Sequence, residues 1–188
     1  PAAPARPRSS ILPAASIPRP PSWGARVVRA MPLELVARHL SKNELFRLSW
    51  GAKNTHGEAW IKLQAEYEAR LDSMLRQALR EGWLQPQGVY GYWPAQSQEN
   101  DLVIYDPGSV QAGSPAELTR FTFPRQAGEE ALCLADYFAP VASNQMDVVA
   151  FQVVTIGAAA TQRFDQLQAA GNYSEAYFTH GLAVQMAE

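Results

Sequence analysis

Cysteine is nearly absent: Cys133 is the only one among 188 residues. That excludes an internal disulfide and any multi-cysteine metal centre. Histidine is sparse too. His39, His56 and His180 are widely scattered and never approach the His-x-x-x-His spacing of a helical metal site. No apolar run approaches the ~20 residues of a membrane span. A net charge of −2 gives no general attraction to nucleic acid or to an anionic membrane. Signatures of phosphate binding and nucleophilic catalysis are missing: there is no Gly-x-Gly-x-x-Gly after a strand, no Gly-x-x-x-x-Gly-Lys-Ser/Thr and no Gly-x-Ser-x-Gly. Acidic residues are absent before Glu34. The opening "PAAPARPRSSILPAAS" is too rich in proline and arginine for a secretory signal peptide, and the low cysteine usage suggests a reducing, cytoplasmic setting.

What is present divides near Trp23. Residues 1–21 hold seven of the fourteen prolines, too little apolar content for a core, so 1–22 reads as an extended, mobile interdomain linker. From residue 23 to 188 the pattern is that of a folded domain. "MPLELVARHL" places Leu33, Val36, Ala37 and Leu40 on one helical face. Residues 58–81 give the strongest helix, with Trp60, Leu63, Tyr67, Leu71, Met74, Leu75, Ala78 and Leu79 at three- and four-residue steps and Gly82 as its C-cap. Strands are expected at 88–93, 101–105, 118–124 and 146–157. The last is β-branched enough to read as a central strand buried on both faces. A closing helix runs from about residue 162, with a break at Gly171-Asn172. Helices, then strands, then a strand and a helix, without strict alternation, predict an α+β fold: one domain with a mainly antiparallel twisted sheet flanked by helices.

The hairpin "GVYGYWPAQSQENDLVIYD" carries the most aromatic surface. Pro94 has no N–H, so the strand is expected to stop there and turn away, leaving Tyr92 and Trp93 beside a cleft. Both rings fit a plain core equally well. Cys133, in an apolar run, reads as a buried inert thiol, and His180 as a residue of a polar helix face. On residue chemistry alone the chain is an α+β domain that binds something through an aromatic cleft.

Several blocks carry a resemblance further. "GVYGYWPAQSQENDLVIY" resembles the Gly-Val-x-Gly-aromatic-aromatic-Pro-Ala-Asn/Gln hairpin of the activation domain of cobalamin-dependent methionine synthase. "MPLELVARHLSKNELFRLSWGAK" is similar to that family's first helix and its Leu-Phe-x-x-x-Trp-Gly element. "LTRFTFPRQ", "CLADYFAP", "DVVAFQVVTIG" and "YFTHGLAVQMAE" resemble further blocks in the family's order, so the likeness covers nearly all of 23–188.

The resemblance implies a domain that binds S-adenosylmethionine and supports reductive remethylation of cob(II)alamin to methylcobalamin, as part of a methyltransferase. Cobalamin would sit on a neighbouring domain of the same enzyme, and flavodoxin or an equivalent reductase would deliver the electron. The implied work is placement, which explains the missing acid–base motifs. Alignment to the family's x-Ala-Leu-Ala-x-x-Leu-Ala-Glu puts the carboxylate that meets the ligand's amino group on Glu188. The family's acidic residue eight positions before Trp50 falls on Lys42, with Glu44 two residues on. Tyr92, Trp93, Pro94, Ala95 and Gln96 would form the aromatic strand end beside the ligand or the docking face. The family's Arg-x-x-x-Gly-Tyr-Pro-Ala-Cys-Pro element would lie past Glu188, so 23–188 is expected to be a C-terminally truncated activation domain, inactive alone. An alternative is a non-catalytic module that docks flavodoxin or the cobalamin domain; another is an unrelated ligand-binding domain that shares the hairpin.

Overall fold

The structure, a computed structural model, describes residues 8–11, 14 and 16–188. Residues 1–7, 12, 13 and 15 of the expected 1–22 linker lie outside the described residues. The chain runs through β1 (Gly24–Val28), α1 (Leu33–Ala37), α2 (Lys42–Glu44) and α3 (Gly57–Glu81), then β2 (Gln87–Gln98), β3 (Asp101–Tyr105), α4 (Pro107–Gln111) and β4 (Glu117–Thr122). It ends with β5 (Asp147–Thr155), α5 (Ala158–Ala169) and α6 (Tyr173–Ala187). This is the α+β class, with antiparallel pairing in the sheet, that the element order predicts. The described residues fall into two compact units: those up to Arg26 with Tyr90–Gln152, and Val27–Val89 with Val153–Glu188.

Among the described residues five strands form one sheet, in the order β1-β2-β3-β4 with β5 also paired to β2. The expected stop at Pro94 does not occur, because β2 continues to Gln98. The ladder to β3 opens at Ala95, opposite Ile104, one residue past the proline, so the missing N–H removes no rung from it. The turn falls instead at Glu99-Asn100, where Glu99 takes a left-handed φ of 55°. Ala95, Leu102, Ile104 and Val149 form the core of this unit, with Trp93, Phe123 and Phe138 packed at its margin. The expectation for β5 also fails. It pairs with β2, and from Ala150 to Thr155 its residues are exposed, Val153 at 67%. β-Branched composition reports a fit to a pleated surface, not coverage of both faces.

At Gly91, β2 lies tight against β1. A Cβ there would lie 2.5 Å from the Gly24 carbonyl oxygen and 2.9 Å from the Ala25 Cα, both backbone atoms that cannot swing aside. Gly91→Ala is therefore expected to lower stability by about 1–3 kcal/mol, the usual cost of overpacking. A thermal melt unchanged from that of the parent would refute the close approach.

The second unit is helical at heart. Leu71, Met74 and Ala78 of α3 are buried, as the periodicity predicts, while Leu79 is 48% exposed. Gly82 closes α3 with φ 68°, its N–H donating to the Ala78 carbonyl at 2.8 Å. Trp50 is the hub. Its ring lies 5.4 Å from Phe46 and 5.2 Å from both Tyr67 and Phe178. Its indole N–H donates to the Phe178 carbonyl at 3.1 Å, and its own carbonyl accepts from the Tyr67 hydroxyl at 2.8 Å. Gly181 of α6 makes room for it: a Cβ at that position would sit 2.8 Å from Trp50 Cδ1.

Candidate functional site

The last turn of α6 ends at a cavity of about 250 Å³ inside the helical unit. Its walls are mostly apolar, from Met31, Val36, Leu40, Pro86, Val154 and Met186. Polar groups come from His39, Gln87, Thr155, Gln185 and Glu188. Gln185 and Glu188, three residues apart, share a helix face, and the Gln185 amide donates to Glu188 Oε2. The carboxylate is exposed, with one oxygen held by that amide. An apolar cavity with one carboxylate at its edge suits a ligand that carries a positive charge on a largely apolar frame. Gln185 was missed in the sequence, although its place three residues before Glu188 on one helix was a usable signal; His39, on the turn after α1, carried no such signal.

Glu44 lies in the same unit, exposed at the end of α2. Lys42 ion-pairs with Glu68 of α3 at 2.6 Å, so the cation that replaces the family's acidic residue has its own carboxylate partner.

The aromatic strand end lies in the sheet unit. Tyr92 is half-buried and, with Gly91, Phe151 and Gln152, lines an open depression of about 320 Å³. Trp93 packs against Phe151 with ring centroids 5.6 Å apart, and Phe151 lies 5.6 Å from Phe121. Phe121 and Phe151 are 43% and 39% exposed, which leaves an aromatic row open on this face. Pro94 and Ala95 are buried, and Gln96 is buried with its amide donating to the Gln145 carbonyl at 2.8 Å. Tyr92 to Gln96 thus share one strand, whereas Glu188 and Glu44 belong to the helical unit.

One charged cluster has no local signature in the sequence, although its two halves lie within "FPRQ" and "CLADYF". Asp136, its side chain wholly buried, receives the Arg125 guanidinium at 2.5 and 3.0 Å. The Arg125 hydrogen bonds, followed by those from Ser9, hold the Asp136 carboxyl well below the usual carboxylate range. Arg125 is raised in turn by the same contact. Among the described residues no group of three or more His, Cys, Asp or Glu gathers to hold a metal ion, and no helix is long and apolar enough to cross a membrane.

Comparison with known proteins gives a consistent picture. Residues 52–188 match the family described as vitamin B12 dependent methionine synthase, activation domain. Methionine synthase of Mycobacterium leprae (strain TN) is 31% identical over 181 residues, covering 92% of this chain and 15% of the relative. Methionine synthase of Mycobacterium tuberculosis (strain ATCC 25618 / H37Rv) is 30% identical over 190 residues, covering 96% of this chain and 16% of the relative. The chain thus spans about one sixth of the length of these curated relatives. Among solved structures, the MetH reactivation domain bound to AdoHcy superposes with a TM-score of 0.74 at 22% identity, covering 88% of this chain and 52% of that one.

Proposed function

Since the chain belongs to the family of vitamin B12 dependent methionine synthase activation domains, we propose that it binds S-adenosylmethionine and presents it for reductive remethylation of a cobalamin held by a neighbouring domain of the same methyltransferase. The observation that carries this reading is the apolar cavity edged by the Glu188 carboxylate, in a fold shared with a reactivation domain solved with AdoHcy. When bound, S-adenosylmethionine supplies an electrophilic methyl group, while flavodoxin or an equivalent reductase supplies the electron.

The side chains of this domain position and do not react. Glu188 faces the ligand's cationic group, and Gln185 holds that carboxylate in place through its amide. Glu44 offers a second exposed carboxylate in the same unit. The cavity is smaller than the ~300–1,000 Å³ of a complete small-molecule pocket, so it takes one end of the ligand. Tyr92 and Trp93 form an aromatic docking wall, which Pro94, Ala95 and Gln96 support from the buried part of β2.

Glu188→Gln in the synthase that carries this domain is expected to weaken S-adenosylmethionine binding about tenfold or more, the usual value of a hydrogen bond to a charged partner. Isothermal titration measures it; equal affinity in the two proteins would remove Glu188 from the site. A second reading, a module that docks the cobalamin domain or flavodoxin without holding ligand, is favoured by the open row of Phe121 and Phe151. Absence of any heat with S-adenosylmethionine, together with loss of reactivation in Phe151→Ser, would select it.

A further inference from the structure

The sheet unit has a buried polar socket of its own, and it is filled by the segment whose composition reads as a spacer. Asp136 is too deeply buried for water to satisfy its carboxylate, and Arg125 supplies only part of what four lone-pair sites need. Ser9 supplies the rest: its backbone N–H and its hydroxyl both donate to Oδ2, at 3.0 and 2.7 Å. The guanidinium of Arg8 enters beside it. It donates to the carbonyl oxygens of Asp136 and Phe138 at 2.7 and 2.8 Å and to the Ser97 hydroxyl at 2.8 Å. Ser97 is 1% exposed, and its hydroxyl in turn donates to the Phe138 carbonyl at 3.0 Å. Two carbonyls and a hydroxyl facing one way make an acceptor ring matched to a guanidinium fork. A carboxylate one step along is matched to a following N–H and hydroxyl.

We propose that this socket of Asp136, Ser97 and the Phe138 carbonyl is a docking site for an arginine–serine step of polypeptide, occupied in cis by Arg8-Ser9. The socket is specific in both positions. Lysine at position 8 would bring a compact ammonium that cannot span three acceptors laid out for a planar fork. Alanine at position 9 would take one donor from a buried carboxylate. The chain is thereby pinned to the sheet at Arg8-Ser9, well before β1.

Hydrogen exchange on the full chain tests this. In the parent protein the Ser9 amide is expected to exchange at least about tenfold more slowly than in an unstructured peptide, as a hydrogen-bonded group does. Arg8→Lys and Ser9→Ala should return the amide of residue 9 to near the peptide rate, while the Val103 and Ala139 amides in the same unit stay protected. The bond after Arg8 offers an independent reading, since Arg6 and Arg19 precede proline and resist trypsin. It should be cut slowly in the parent and at the rate of the free peptide in both variants. A Ser9 amide that exchanges at the peptide rate in the folded parent, with the Val103 amide protected, overturns the proposal.

Discussion

Replacing Arg125 with methionine should unfold the sheet unit under conditions where the parent protein is stable. Asp136 has no exposed side-chain surface, and Arg125 has 6%. Loss of the guanidinium leaves a carboxylate in a dry site with only the Ser9 donors, and breaking a buried pair from one side costs about 3–5 kcal/mol. Arg125 also holds the Ala131 carbonyl at 2.8 Å and the Asn100 side chain at 3.1 Å, which lose their partner as well. Removing both charges in Arg125→Met/Asp136→Leu should recover part of the loss, because the uncompensated charge disappears with its partner.

The dependence on pH separates this explanation from simple loss of packing. In the parent protein the folded Asp136 carboxyl lies below its unfolded value of ~3.9. Its stabilisation is therefore complete above that pH and is lost as the pH falls through the window below it. In Arg125→Met the carboxyl lacks its cation and burial pushes it upward, so acidification should relieve the variant over a range where it leaves the parent unchanged. Urea midpoints measured from pH 7 down to pH 4 should converge. A gap that stays constant across that range would show that the arginine acts only through packing.

Trp50→Ala should cost the helical unit about 3–5 kcal/mol, the range for a large aromatic removed from a core. The ring touches Phe46, Tyr67 and Phe178, and its loss strands the Phe178 carbonyl that the indole N–H satisfies. Gly181→Val should approach the same loss from the opposite side, since a branched side chain on α6 would have to enter the space of the Trp50 ring. Because both changes strike one contact, the double variant should fall well short of the sum of the two losses. Additive losses in urea unfolding would show that Gly181 and Trp50 act independently.

The helices and most of the strands were legible in this chain: the expected strand at 101–105 is β3, and those at 118–124 and 146–157 fall on β4 and β5. For α3 the pattern of Leu71, Met74 and Ala78 and the stop at Gly82 are local properties, and they survive in the fold. The break between α5 and α6 falls at Ala170–Asn172, beside the Gly171-Asn172 step that marks it. Strand β1 was missed because five residues, "GARVV", show neither alternation nor an apolar run. Pro94 was misjudged because what a proline costs depends on which rungs its neighbours use, and that is decided by β3. At the site, Glu188 was reached only through resemblance, since a single helical carboxylate has no chemical signature. The pair Arg125 and Asp136 was invisible as chemistry. Ten residues of chain lie between them, and only the tertiary fold closes that distance.

Cys133 turns its own scarcity to use. The lone thiol of the chain is 3% exposed, with its sulfur 3.5 Å from the Phe123 carbonyl. A water-soluble alkylating reagent can reach it only when the segment around the Arg125–Asp136 pair opens. The alkylation rate of the unmodified protein is therefore a clock for that opening, and it reads the sheet unit without any report from the aromatic hub around Trp50.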